Sequence, residues 1–142
     1  MELGGFFPYR LAVASEAFSR QLTEVYRRGY GLSREEWRLL FLLANEESVT
    51  SLELSRRTTL DKVQVTRAAQ RLENKGLIDR NTPQEDRRLR IYRCTPDGRS
   101  LFRRVLPEVE ARAKRILDAM TQEDRAALER GLAALLAAAM GE

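Results

Sequence analysis

The stretch from Val49 to Thr95 decides the fold, and it reads VTSLELSRRTTLDKVQVTRAAQRLENKGLIDRNTPQEDRRLRIYRCT. Thr50 and Glu53 have the spacing of a capping box, in which each side chain satisfies a backbone N–H of the other residue at the start of a helix. Asp61 and Gln64 have the same spacing further along the stretch. Two short helices joined by a tight turn are typical of helix-turn-helix units, so the stretch predicts such a unit.

The second predicted helix has one apolar side and one polar side. Val65, Ala68, Ala69 and Leu72 recur at helical spacing, and Gly76 follows as the residue type that commonly ends a helix. The opposite side displays Val63, Gln64, Thr66, Arg67, Gln70 and Arg71. These side chains suit base edges and phosphates in a major groove, although a polar side that simply faces water is the more common use of such a pattern.

An arginine-rich segment follows this helix. Asn81, Thr82 and Pro83 form a turn signal between two extended, partly apolar runs, which predicts a β-hairpin. Its arginines are Arg80, Arg87, Arg88, Arg90 and Arg93. A hairpin of this kind suits a wing that places an arginine in the narrow minor groove of DNA. A sheet edge protected by charges is the alternative, and the preceding helix favours the wing.

Residues 49–102 together resemble the winged-helix domain of the MarR family of bacterial transcription regulators. The resemblance lies in the order and spacing of LSRR at 54–57, LDKV at 60–63, TRA at 66–68, RLENKGL at 71–77, DRR at 86–88 and TPDG at 95–98. It implies that residues 61–75 form a recognition helix and that Arg88 enters the minor groove. It also implies that Asp86 orients the arginine side chains of the wing.

The predicted DNA contacts lie on the two helices and the wing. They are Thr50, Ser51, Lys62, Val63, Gln64, Thr66, Arg67, Gln70, Arg71, Arg87, Arg88 and Arg90. Three residues depart from the family pattern. Val63 replaces a small polar residue, so the family's base preference cannot be transferred to this chain. Thr59 replaces a Gly, which predicts a strained turn, and Cys94 replaces a Leu, which predicts a packing role.

The composition indicates a single domain that spans residues 1–142, with 43% apolar residues available for its core. The single Cys permits no internal disulfide, and the absence of His excludes His-based metal sites and His-dependent catalysis. The sequence also lacks a glycine-rich phosphate loop and a Gly-x-Ser-x-Gly elbow. We therefore expect no enzymatic activity, no cofactor and no metal.

The positive charge is concentrated in the predicted head. Between Arg56 and Arg93 there are 11 Lys and Arg against 5 Asp and Glu, a net charge of +6, whereas the rest of the chain has 14 against 16, a net charge of −2. This distribution is typical of a surface that binds a polyanion, and it predicts double-stranded DNA as the partner.

Amphipathic helices are predicted on both sides of the head, which itself covers residues 32–102. Apolar residues recur at helical spacing in residues 6–28 and again in residues 96–140. The predicted fold is therefore mainly α with a small β-wing, a winged helix-turn-helix head flanked by N- and C-terminal dimerisation helices. Three amphipathic helices exceed what one small head needs to cover itself, and the resemblance implies pairing through the terminal helices. We therefore expect a homodimer whose interface includes Phe7, Leu11, Phe18, Leu128, Leu132 and Leu135. Two-fold pairing predicts a pseudo-palindromic operator with half-sites about 34 to 36 Å apart.

A helix opened by Ser33 and Glu36 is apolar almost all round, which predicts a buried hub beneath the head. Its main stripe contains Trp37, Leu40, Phe41 and Ala44. Trp37 and Phe41 could border a small-molecule pocket, but core packing is the more common use of such residues. Modulation by a small aromatic ligand is implied by the resemblance alone.

Two alternatives stay open in the sequence. The head could instead bind an acidic protein partner, in which case random DNA would compete as well as operator DNA. Cys94 could be a redox sensor, for which rapid labelling of the native protein by a thiol reagent would be the evidence. Glu2 and Arg10 oppose a signal peptide and no run reaches the roughly 18 apolar residues of a membrane span, so we expect a cytoplasmic protein without a membrane partner.

Overall fold

Five polar side chains cap the beginnings of helices, and three of them, Ser33, Thr50 and Asp61, were predicted from their spacing. In the computed structural model, which describes residues 1–81 and 90–141, each accepts a hydrogen bond from the backbone N–H three residues further on. These residues are Ser33, Thr50, Asp61, Thr95 and Thr121. The boxes at Ser33 and Asp61 are reciprocal. The predicted box at Thr50 is only half formed, because the Glu53 carboxylate pairs with Arg56 at 2.7 Å.

The elements confirm a mainly α protein with a small antiparallel sheet. After a short 3-10 helix at Leu3–Gly5, they are α1 (Phe7–Tyr30), α2 (Arg34–Ala44), β1 (Val49–Thr50), α3 (Ser51–Thr58), α4 (Lys62–Asn74), β2 (Ile78–Asn81), β3 (Ile91–Cys94), α5 (Pro96–Asp118) and α6 (Gln122–Ala139). None of the helices in residues 1–81 and 90–141 has the length and apolar content needed to cross a membrane.

The three strands form one sheet in the order β1, β3, β2. The predicted hairpin is confirmed, because β2 and β3 pair in an antiparallel register that places Ile78 opposite Cys94 and Asn81 opposite Ile91. The sequence analysis missed β1, whose Val49 pairs with Tyr92. A strand of two residues carries no periodicity, and its partner is distant in the sequence.

Helix α2 forms the hub of the core, as its composition predicts. Leu39, Leu40 and Leu43 have no exposed surface, and α2 packs against α3, α4, α5 and β3. The predicted stripe on α4 is also buried, at Val65, Ala68, Ala69 and Leu72. The prediction that Phe41 packs in the core is corrected by the structure. Phe41 belongs to the main apolar stripe of α2, but 45% of its surface is exposed.

An aromatic cluster joins the head to the flanking helices. The ring of Trp37 on α2 stacks on the rings of Tyr26 of α1 and Phe102 of α5. The distances between ring centroids are 5.4 Å and 5.5 Å, respectively. Phe41 completes the cluster with edge contacts to Trp37 at 5.8 Å and to Phe102 at 5.1 Å. Offset and edge arrangements of this kind stabilise a fold beyond the area they bury. The cluster therefore ties α1, α2 and α5 into one unit.

Gly98, in the first turn of α5, lies where the chain permits no side chain. A Cβ atom built at this position would lie 2.1 Å from the carbonyl oxygen of Leu77 and 2.7 Å from the sulfur of Cys94. The oxygen belongs to the backbone between α4 and β2, so it cannot move without shifting the wing. Gly98 thus sets how closely α5 approaches the head.

We expect Gly98→Ala to lower the free energy of unfolding by about 3 kcal/mol, because backbone must move to admit the methyl group. Gly29→Ala is the matched control, since a Cβ at Gly29 would meet nothing within 4 Å. That change should stabilise α1 by no more than about 1 kcal/mol. Chemical denaturation of both variants measures the difference, and equal stabilities would contradict the close approach.

Candidate DNA-binding surface

The outward side of α4 is exposed throughout, as predicted for a recognition helix. The exposed residues are Lys62, Val63, Gln64, Thr66, Arg67, Gln70 and Arg71. Val63 keeps 57% of its surface in water, although it is apolar. Such a side chain suits contact with a thymine methyl group, and the neighbouring amides and guanidinium groups suit hydrogen bonds to base edges.

Local hydrogen bonds fix part of this surface, and they do not involve the guanidinium groups of Arg67 and Arg71. The Thr66 hydroxyl donates to the carbonyl of Lys62 at 2.9 Å, and the Gln70 amide donates to the Asn74 side chain at 3.0 Å. Within residues 1–81 and 90–141, neither Arg67 nor Arg71 forms a salt bridge. Both guanidinium groups can therefore present their donors to another molecule.

The turn between α3 and α4 has the strained backbone that the sequence predicts. Thr59 has a φ of 61°, the left-handed conformation that is rare for a β-branched residue. The Arg38 guanidinium, on α2, donates to the Thr59 hydroxyl at 3.2 Å and to the Thr58 carbonyl at 3.5 Å. The sequence analysis missed Arg38, since nothing local to it indicates a contact with this turn.

The beginning of α3 contacts the returning strand of the wing. Thr50 and Ser51 are half-buried, and the Thr50 hydroxyl is occupied as the N-cap of α3. The Ser51 backbone N–H donates to the carbonyl of Arg90 at 2.9 Å, and Arg90 is itself half-buried. These three predicted contact residues therefore lie together at the base of the wing and are less accessible than the side chains of α4.

Charged side chains lie at the base of the wing, and one ion pair joins it to α4. Arg80 lies 3.3 Å from the Glu73 carboxylate of α4, and Asp79 faces Arg93 across the β2–β3 ladder. Opposite charges at facing positions stabilise a strand pair. The predicted minor-groove residue Arg88, its neighbour Arg87 and the orienting residue Asp86 lie outside the described residues. The structure thus describes where the wing begins and ends, next to α4.

Cys94 is buried in β3, which confirms the predicted packing position. Its sulfur lies under the first turn of α5, and burial raises the pKa of the thiol above its ordinary value, with a smaller opposing effect from Arg99. A sensor thiol needs access to solvent and a lowered pKa. The environment of Cys94 has neither property. The described residues also contain no group of side chains that could hold a metal ion.

Both ends of the chain present apolar surface to solvent. Every described residue in 1–17 and in 127–141 is exposed, and α6 has no buried residue. Of the predicted dimer residues, all except Phe18 belong to these surfaces. Phe7 is 57% exposed, Leu11 36%, Leu128 42%, Leu132 49% and Leu135 36%, while Phe18 is half-buried.

Comparison with known proteins gives one consistent family. A profile described as the MarR family matches residues 30–89. The uncharacterized HTH-type transcriptional regulator YdgJ of Bacillus subtilis is 30% identical over 95 residues, which are 67% of this chain but only 58% of that protein.

Two solved structures extend the similarity to nearly the whole chain. The MarR family transcriptional regulator SPO1453 from Silicibacter pomeroyi is 29% identical, with a TM-score of 0.81 and a coverage of 97% of this chain and 98% of that one. NadR in complex with 4-hydroxyphenylacetate is 25% identical, with a TM-score of 0.72 and a coverage of 92% of each chain. With its winged helix-turn-helix head and its flanking helices, this chain belongs to the MarR family of transcriptional regulators.

Proposed function

We propose that the protein is a homodimeric, sequence-specific regulator that binds a pseudo-palindromic operator. In this proposal α4 lies in the major groove and the wing places Arg88 in the adjacent minor groove. The observation that carries it is the outward side of α4, where the seven predicted contact positions, residues 62–64, 66, 67, 70 and 71, are all exposed and, apart from Val63, polar. The net charge of +6 between Arg56 and Arg93 supports a polyanionic ligand.

The proposal assigns different roles to the helix and to its surroundings. Arg67 and Gln70 are in position to read base edges, because they lie on the exposed side away from the buried stripe. Thr50 and Ser51 are in position to contact phosphate at the beginning of α3. The cytoplasm is the expected location for such a regulator. An operator that overlaps a promoter would make repression the expected outcome.

Two-fold pairing is the second part of the proposal. Isolated helices of ordinary length are marginal in water, and most of their stability in proteins comes from packing of an apolar face. Helix α6 spans 18 residues without one buried residue in the single chain. Leu132 of α6 and Phe7 of α1 are exposed at 49% and 57%. A second copy that covers both ends would remove this surface from water and present two heads to one face of DNA.

If the Arg67 guanidinium forms two hydrogen bonds to one base, Arg67→Ala should weaken operator binding by about 1 to 3 kcal/mol. It should also reduce the sequence preference at that base pair. Arg88→Ala should weaken binding most at operators with A·T-rich flanks, where the minor groove is narrow. Titration of labelled operators by fluorescence anisotropy measures both effects. Arg103→Ala is the control, because it removes one positive charge from an exposed position on α5 outside the head. Parent-like binding by Arg67→Ala would contradict the assignment of the reading side.

Leu132→Asp should convert the dimer into a monomer. The variant would have to bury an unpaired carboxylate in the proposed interface, where the parent protein buries an apolar side chain. Light scattering during gel filtration at micromolar concentration measures the mass. Leu52→Asp is the control, since Leu52 is apolar and 76% exposed but lies on α3 of the head. A monomeric parent protein, or a dimeric Leu132→Asp variant, would contradict this interface.

A small aromatic ligand is the third part of the proposal. Its support is the partly exposed Phe41, which contacts Trp37 and Phe102 where α2 meets α5. An aromatic ring bound at this junction could change the angle between the head and the helices that pair. The structure of NadR contains 4-hydroxyphenylacetate, so a phenolic carboxylate is the class to examine first.

We expect 4-hydroxyphenylacetate or a related aromatic carboxylate to lower operator affinity by about 5- to 150-fold, the usual range of coupling between two sites. Cyclohexylacetate is the matched control ligand, because it keeps the carboxylate and lacks the aromatic ring. Phe41→Ala should reduce the effect without abolishing DNA binding. An operator affinity that no aromatic carboxylate alters would contradict this part of the proposal alone.

A further inference from the structure

The C-terminal end of α4 is joined directly to the junction of α1 and α2 by Lys75. Its Nζ donates to the backbone carbonyl of Gly31 at 2.9 Å and to the Oε2 atom of Glu36. Lys75 is the C-cap of α4, Gly31 is the C-cap of α1, and Glu36 lies in the first turn of α2. We call these three residues the clasp. One side chain thus connects the ends of three helices.

Glu36 is the buried member of the clasp, with 3% of its surface exposed. Its Oε1 atom accepts a hydrogen bond from the Ser33 backbone N–H at 3.3 Å, so this oxygen belongs to the capping box of α2. Its Oε2 atom faces Lys75. A buried carboxylate is costly unless it is paired and hydrogen-bonded, and removal of one partner is much more costly than loss of an exposed pair. The position of Lys75 is therefore constrained.

Gly31 ends α1, and backbone hydrogen bonds hold it in place. It has a φ of 69°, its N–H donates to the Arg27 carbonyl at 2.9 Å, and the following Leu32 N–H donates to the Tyr26 carbonyl at 3.0 Å. Leu32 has no exposed surface, which anchors this turn in the core. The carbonyl that accepts from Lys75 therefore belongs to a rigid helix end, and the same helix begins in the proposed dimer interface.

From this geometry we infer that Lys75 is a positioning residue, which fixes the angle of the recognition helix relative to α1 and so sets the half-site spacing that the dimer accepts. The inference rests on the proposed dimeric DNA binding. In a two-fold dimer, the separation and relative rotation of the two recognition helices depend on how each head is held against its own α1. Each base pair added between half-sites moves them by about 3.4 Å and rotates them by about a tenth of a turn.

Two variants with opposite charge changes test the inference. Lys75→Met removes one positive charge, and Glu36→Gln removes one negative charge while it keeps an acceptor for the Ser33 N–H. Both break the ion pair of the clasp. The assay measures affinity for a series of operators whose half-site spacing is changed by one and two base pairs in each direction. Thermal denaturation of each full-length variant shows whether it folds.

In both variants, the ratio of the affinity at the preferred spacing to the affinity at the other spacings should fall by about three- to tenfold. This is the size of effect expected when two contacting residues are coupled. Lys75→Arg should keep the preference, because it keeps the charge. Lys114→Met is the control, because it breaks an exposed ion pair with Asp118 on α5 and should leave the preference unchanged. If Lys75 instead contacted a phosphate, Lys75→Met would weaken binding equally at all spacings and Glu36→Gln would not flatten the preference.

The outcomes separate the inference from the function on which it rests. A parent protein with no spacing preference overturns the dimeric binding mode and the clasp with it. A parent with a clear preference that both variants retain overturns the clasp alone. Should Lys75→Met fail to fold, Glu36→Gln decides the question, because it preserves the size of the buried side chain and the helix cap.

Discussion

The packing of α4 against α2 is the contact on which the rest of the molecule depends. Three leucines of α2 have no exposed surface, and the apolar stripe of α4 lies against this hub. Because a helix that buries one side must display the other, the same contact that forms the core also fixes which side chains of α4 face outward. The DNA-reading surface is in this sense a product of core packing.

Polar contacts refine the orientation that the core provides. Arg38 holds the turn before α4, Arg80 ties the wing to its last turns, and Lys75 joins its end to α1. Arg38 and Lys75 bridge elements that are distant in the sequence, whereas Arg80 bridges the neighbouring elements α4 and β2. Together with the aromatic cluster around Trp37, they connect α4 and the wing to α1, α2 and α5 by direct side-chain contacts.

Local features of the sequence were sufficient to predict much of this architecture. Helix caps, the buried stripe of α4 and the β2–β3 hairpin depend on neighbouring residues, and all were recovered from spacing alone. Strand β1, the exposure of Phe41 and the roles of Arg38 and Lys75 depend on contacts across the fold, which periodicity cannot show. The DNA contacts on α4 were predicted from its two-sided pattern and Arg87 from the arginine-rich hairpin, whereas the roles of Asp86 and Arg88 rest on the family resemblance.

Helix α6 has a consequence for how the protein reaches its final state. No residue of α6 is fully buried against its own chain, and a helix in that situation gains most of its stability when another surface covers its apolar side. In the proposed dimer, folding of this helix and association of the two subunits would be one thermodynamic event rather than successive ones. Dilution would loosen the C-terminal region before the head, and the melting temperature would rise with protein concentration. The amount of protein in the cell would thereby govern how many heads are paired and competent to hold DNA.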